Sequence, residues 1–138
     1  MERELLTRPV MNWLHRLSPH VYAILRILTG VMLAMHGTAK LWAWPNGKVV
    51  SDPVMMFAAV AELVAGVLIA IGFLTTWAGF IASGTMAVAY FWRHASGGFL
   101  PIVNKGELAV VYCWLFLYIA SAGAGIWSVD AARRRRRR

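Results

Sequence analysis

Charge is scarce in this chain. Of its 138 residues only 14% are charged, while 59% are hydrophobic and mean hydropathy is +0.59. Soluble domains carry about 25% charged and about 45–50% apolar residues. This shortage of charge excludes an ordinary soluble globule and a disordered chain. Cysteine is reduced to one residue, Cys113. An intramolecular disulfide, a CxxC redox pair and a Cys-rich metal site are thereby excluded. Residues 1–20 lack the 7–15-residue apolar core of a cleavable signal. No internal repeat stands out.

What is present is apolar length. A helix crosses a bilayer with about 20 apolar residues, so four crossings need about 80, and this chain supplies them in one compact membrane domain. The net charge of +8 is mostly a tail, because Arg133 to Arg138 supply +6 of it. The basic balance therefore points to a charged end and excludes a nucleic-acid-binding fold.

The hydropathy pattern predicts an all-α, up-down four-helix transmembrane bundle with spans over residues 21–42, 54–74, 77–95 and 107–127. An interfacial segment, residues 1–20, precedes it, with Val10, Trp13, Leu14 and Leu17 at helical spacing. A basic tail, residues 131–138, follows the membrane domain of residues 21–130. Pro45-Asn46-Gly47 marks a turn in the first loop, and Thr75-Thr76 a tight one that makes spans two and three antiparallel neighbours. Trp42, Trp44, Trp77, Trp92 and Trp127 fall near span ends, as aromatic belts do. Lys and Arg are concentrated in the two terminal flanks, which puts both termini in the cytoplasm. Gly30 and Gly37 on the first span, and Gly79 and Ser83 on the third, have the spacing of close helix packing.

Ionisable residues inside spans are costly, about 2.5–3.5 kcal/mol at the centre. This chain keeps Arg26, His36, Lys40 and Glu62 there, with Glu107 at a span end. At about 1.5 Å per residue, His36 lies about 9 Å and Glu62 about 12 Å below the outer end of their spans. Lys40 is one helical turn from His36, and Arg93, Glu107, Tyr90 and Tyr112 lie close to the same level. The expectation is a polar cluster in the outer half of the bundle. His36 and Glu62 are its candidate proton-transfer pair. Lys40, Arg93, Glu107, Tyr90 and Tyr112 are its candidate binding residues. An ion pair that only fixes helix register is the competing reading of Glu62. Arg26 stands apart near the inner end, to snorkel toward lipid phosphates or reach Asp130. With His36 alone truly within a span and His94 at an edge, haem ligation lacks two facing imidazoles.

Several short runs resemble the DoxX family. Arg26-Ile-Leu-Thr-Gly30 and His36-Gly37-Thr-Ala-Lys40 look like its first helix. Glu62-Leu-Val-Ala-Gly66 and Gly72-Phe-Leu-Thr75 look like its second. Pro101-Ile-Val-Asn104-Lys105-Gly106-Glu107 resembles the opening of its fourth, with Lys105 in place of a glycine. Gly123-Ala-Gly125-Ile-Trp-Ser128-Val-Asp130 resembles its end. The resemblance spans residues 21–130. It implies a multi-pass protein of the bacterial or archaeal cytoplasmic (inner) membrane, in a family named for a subunit linked to quinone-coupled sulfur oxidation. The function so implied is a small quinone-interacting or accessory subunit of a membrane oxidoreductase system, with electrons from partner subunits. No cofactor is bound covalently, and quinone is the candidate ligand. His36 and Glu62 would exchange protons with its carbonyls, Lys40 and Arg93 would stabilise a developing anionic oxygen, and Glu107 would orient those cations. The alternatives are a non-enzymatic carrier of small molecules or lipids, a membrane assembly factor, and a bundle whose charges only specify pairing. No metal site is expected. The arginines of the tail suit anionic lipid, and an oligomer is compatible with the small size.

Overall fold

The computed structural model describes residues 9–137, with side chains from residue 12 onward. All regular structure among the described residues is helical. Helix α1 (Pro9–Trp42) is 34 residues long, about 51 Å at 1.5 Å per residue. The expected separate segment 1–20 is not separate where it is described. Residues 9–20 are the opening of α1, which runs on through Pro19. Residues 1–8 lie outside the described residues.

Helix α2 (Pro53–Ile71) has local signals at both ends. The Asp52 carboxylate accepts from the Met55 amide at 2.9 Å, and Pro53 sits where its missing N–H costs nothing. At the other end Gly72 turns left-handed, with φ 69°, and the Phe73 amide donates back to the Leu68 carbonyl. Its 19 residues span about 28 Å, close to the roughly 30 Å hydrocarbon core of a bilayer. Helix α3 (Thr75–Ala89) continues into a π turn at Tyr90–His94 and a 3-10 turn at Ala95–Gly97. A short helix α4 (Pro101–Asn104) leads into α5 (Glu107–Ala122), and α6 (Val129–Arg136) carries the arginines.

The fourth apolar run was expected to stay helical to residue 127, yet α5 stops at Ala122. Gly123, Gly125 and Trp127 all have positive φ, so the backbone turns under the bundle. Glycine adopts that conformation without a Cβ clash, and Trp127 follows at a steric cost.

The long helices pack in antiparallel register. Gly30 faces Gly66 and Ala70, Gly37 faces Ala59 and Leu63, and Lys40 reaches Glu62, all between α1 and α2. Gly79 faces Phe116 and Ala120, and Ser83 meets Cys113, between α3 and α5. Tyr22 donates to the Gly123 carbonyl, and Tyr112 donates to Met32 Sδ at 3.6 Å, closing α1 against α5. Leu33, Ile69, Ala82, Met86, Phe116 and Ile119 form the shared core. Many apolar side chains face outward instead, among them Phe57, Val64, Phe80, Phe91 and Trp114. Two helices are long and apolar enough to cross a membrane, within residues 12–42 and at Pro53–Ile71, and α5 is a shorter apolar helix.

Candidate functional site

A cavity of about 800 Å³ opens between the start of α2 and the end of α3, capped by the end of α1. Both helices leave the tight Gly72–Leu74 turn, and the cavity lies at their far ends. Phe57, Ala58, Val88 and Trp92 give it apolar walls. Its polar groups are Lys40, Glu62, Asp52, Arg93 and His94.

Lys40 Nζ lies 2.6 and 2.8 Å from the two Glu62 carboxylate oxygens. The Glu62 side chain is 3% exposed and that of Lys40 27%, so the anion is sealed in while the cation stays reachable. Replacing water around a carboxylate by protein is expensive unless a charge and hydrogen bonds compensate. Here a single ammonium donates to both oxygens. Among the described residues this is the one ion pair.

The structure brings Lys40, Glu62 and Arg93 to one cavity and leaves the other expected residues outside it. His36 is exposed and its ring meets Tyr112 edge-on at 6.4 Å, on the α5 side of α1. Residues four apart on a helix are about 40° apart around the axis. Because α1 sits between α2 and α5, that rotation sends His36 and Lys40 to different neighbours. His36 and Glu62 share a level along the bundle, since Gly37 meets Ala59 and Leu63, but they do not share a face. Tyr112 is buried and stacked on Phe116 at 5.4 Å, as a core residue. Tyr90 is buried beneath the π turn, donating to the Phe99 carbonyl and accepting from Asn104 Nδ2. Glu107 is exposed in the first turn of α5, where an acid suits the helix dipole, and it makes no ion pair among the described residues.

The histidine that lines the cavity is His94. Its Nδ1 lies 3.1 Å from the Asn104 carbonyl oxygen. A carbonyl only accepts, so Nδ1 carries a proton and donates here, which leaves Nε2 as the ring nitrogen outside that bond. Asn104 is itself held by Gly98, Tyr90 and the Gly106 amide. The signal available in the sequence was the aromatic-basic run Tyr90–His94, which continues the third helix. The π turn that widens the helix there has no sequence signature of its own.

Arg26 does not snorkel. It is fully buried at the opposite end of the bundle. Its Nη1 donates to the Ile69 and Ala70 carbonyls at 2.6 and 2.7 Å, and its Nη2 to those of Trp127 and Ile126 at 2.8 and 3.4 Å. The partners are therefore the carbonyl end of α2, which favours a cation, and the turned segment after α5. Asp130 is close by but serves α3. Its carboxylate accepts from the amides of Leu74 and Thr75 and from the Thr75 hydroxyl, each at 3.2 Å.

The fold and the cavity define a class: a helical protein with membrane-length apolar helices and a polar-floored pocket between two of them. Residues 21–95 match the DoxX family, and the chain belongs to that family, whose members are membrane proteins. A protein of Haemophilus influenzae (strain ATCC 51907 / DSM 11121 / KW20 / Rd), described as an uncharacterized protein, is 43% identical over 129 residues, covering 87% of this chain and 96% of its own length. No solved structure matches.

Proposed function

We propose that this chain crosses the bacterial or archaeal cytoplasmic membrane four times, with both termini in the cytoplasm. We further propose that its cavity receives a quinone head group, as a small quinone-interacting or accessory subunit of a membrane oxidoreductase system. The membrane reading is supported by the length of α2, the outward apolar faces of all four long helices and the arginines of α6. The carrying observation for the ligand is the cavity itself. About 800 Å³ suits a drug-sized ring system, and its apolar walls end in a few convergent polar groups.

Those polar groups suit a ring whose two oxygens are carbonyls when oxidised and hydroxyls when reduced. Lys40 and Arg93 can donate to the carbonyls, while Glu62 and the Nε2 of a neutral His94 can accept from the hydroxyls. A bound quinone supplies two-electron, two-proton redox chemistry, and the electrons come from a partner subunit. The chain's own residues orient the ring, exclude water and hold protons at Glu62 and His94 Nε2. His36 has no part in this reading.

Purification in mild detergent with mass spectrometry of extracted small molecules tests it. A near-stoichiometric quinone that falls at least fivefold in Glu62→Gln, with the melting temperature nearly unchanged, is the expected result. Purified protein with phospholipid or another small molecule in the cavity and no quinone overturns the reading in favour of a carrier.

A further inference from the structure

We infer that Arg133, Arg134 and Arg137, together with Thr76, form a binding site for the phosphate of one anionic phospholipid. A notch of about 330 Å³ lies where α6 passes the start of α3 and the end of α5, lined by these four residues, Asp130 and the small Gly123 and Ala124. It is far from the quinone cavity and shares no lining residue with it.

The first argument is charge. Three guanidinium groups face one carboxylate, and the Asp130 oxygens already accept two amides and a hydroxyl at the start of α3. No ion pair forms with these arginines among the described residues. Among the described residues Asp130 is the one carboxylate at the notch, so the three guanidinium groups leave an excess of positive charge there. Guanidinium forks bind phosphate oxygens in pairs, and the Thr76 hydroxyl adds a further donor.

The second argument is face. Positions 133, 134 and 137 fall together on one side of α6, and the arginines at 135 and 136 do not line the notch. Arg133 is held in place over the Phe73 ring, 5.4 Å from its centroid. All five described arginines are exposed, and Arg133, Arg134 and Arg137 are the ones that line the notch.

The third argument is depth. Trp77 and Trp127, both well exposed, rim this end of the bundle, and indole rings sit at the headgroup level. The notch thus opens where lipid phosphates lie, given the membrane placement proposed above, on which this inference rests. The ammonium of a choline headgroup would meet three like charges, so the site selects phosphatidylglycerol-like lipids over phosphatidylcholine.

Native mass spectrometry of the full chain in detergent, titrated with phosphatidylglycerol or phosphatidylcholine, tests the site. Two charge-matched variants separate a site from a diffuse tail: Arg133→Gln/Arg134→Gln and Arg135→Gln/Arg136→Gln. The expected result is a single phosphatidylglycerol adduct in the unsubstituted chain and in the second variant. In the first it weakens at least tenfold, with an unchanged circular dichroism spectrum. Equal weakening in both variants overturns the site. So does equal retention of phosphatidylcholine, or displacement of the lipid by millimolar inorganic phosphate at constant ionic strength. Carbonate washing of native membranes distinguishes the two proposals. Release of the chain defeats the membrane placement, whereas retention without lipid preference defeats only this inference.

Discussion

At the residue scale the Lys40–Glu62 pair is unequal, and the inequality makes a prediction. Lys40→Met leaves a carboxylate that is 3% exposed without a cation. Losing one partner of a buried pair costs about 3–5 kcal/mol, so Lys40→Met should lower the melting temperature markedly. Glu62→Gln leaves a lysine that is 27% exposed and can reach water along its flexible stem. Its cost should be about 1 kcal/mol or less. Thermal unfolding of both variants in one detergent checks the order, and a larger loss in Glu62→Gln would contradict it. That Lys40 and Glu62 share a level was legible in the sequence, because helix rise is constant. The face was not, since Lys40 and His36 part company only once α1 has α2 on one side and α5 on the other. The partners of Arg26 were illegible for another reason: they are backbone carbonyls, which every residue has.

At the element scale, α1 and α2 touch through glycines. A Cβ on Gly30 would lie 2.6 Å from the Ala70 amide nitrogen, and one on Gly37 2.6 Å from the Ala59 carbonyl oxygen. In both cases the obstacle is backbone, which cannot swing aside. Gly30→Ala should therefore force the helices apart and cost about 1–3 kcal/mol or more. Gly84 on α3 has open space around its would-be Cβ. Gly84→Ala should be neutral or stabilising by up to about 1 kcal/mol through helix propensity. Comparing the folded fraction of the two variants by size-exclusion chromatography, with melting temperatures alongside, tests the contrast. The sequence spacing of small residues correctly marked Gly30, Gly37, Gly79 and Ser83 as contact points. The end of α5 was missed because hydropathy continues past Gly123 while the backbone does not. Gly123 and Gly125 were the available stop signal.

At the scale of the whole molecule, one end is built for polarity inside and the other for closure. The cavity end holds Lys40, Glu62 and His94 between the start of α2 and the end of α3. At the closed end, Arg26 ties α2 to the segment after α5, and Asp130 caps α3. The closure predicts opposite effects for two truncations. Ending the chain after Ala132 removes the arginines but keeps both ties, and stability in detergent should change by about 0.5 kcal/mol or less. Ending it after Ala122 removes the Trp127 and Ile126 carbonyls and the Asp130 cap. With hydrogen bonds to charged groups worth about 1.5–3 kcal/mol each, the loss should reach about 3 kcal/mol. Equal melting temperatures for the two truncations would refute this account of the closed end.

The Arg26 clamp also sets an order in time. Two of its acceptors, Ile69 and Ala70, follow it by 43 and 44 residues, and the other two, Ile126 and Trp127, by 100 and 101, so the second two leave the ribosome later. Until then a guanidinium destined for the protein interior has only half its acceptors. The nascent chain must hold that charge near water or near the insertion machinery while the later helices arrive. A nascent chain that has passed Ala70 but not Ile126 therefore carries a guanidinium with two of its four carbonyl acceptors.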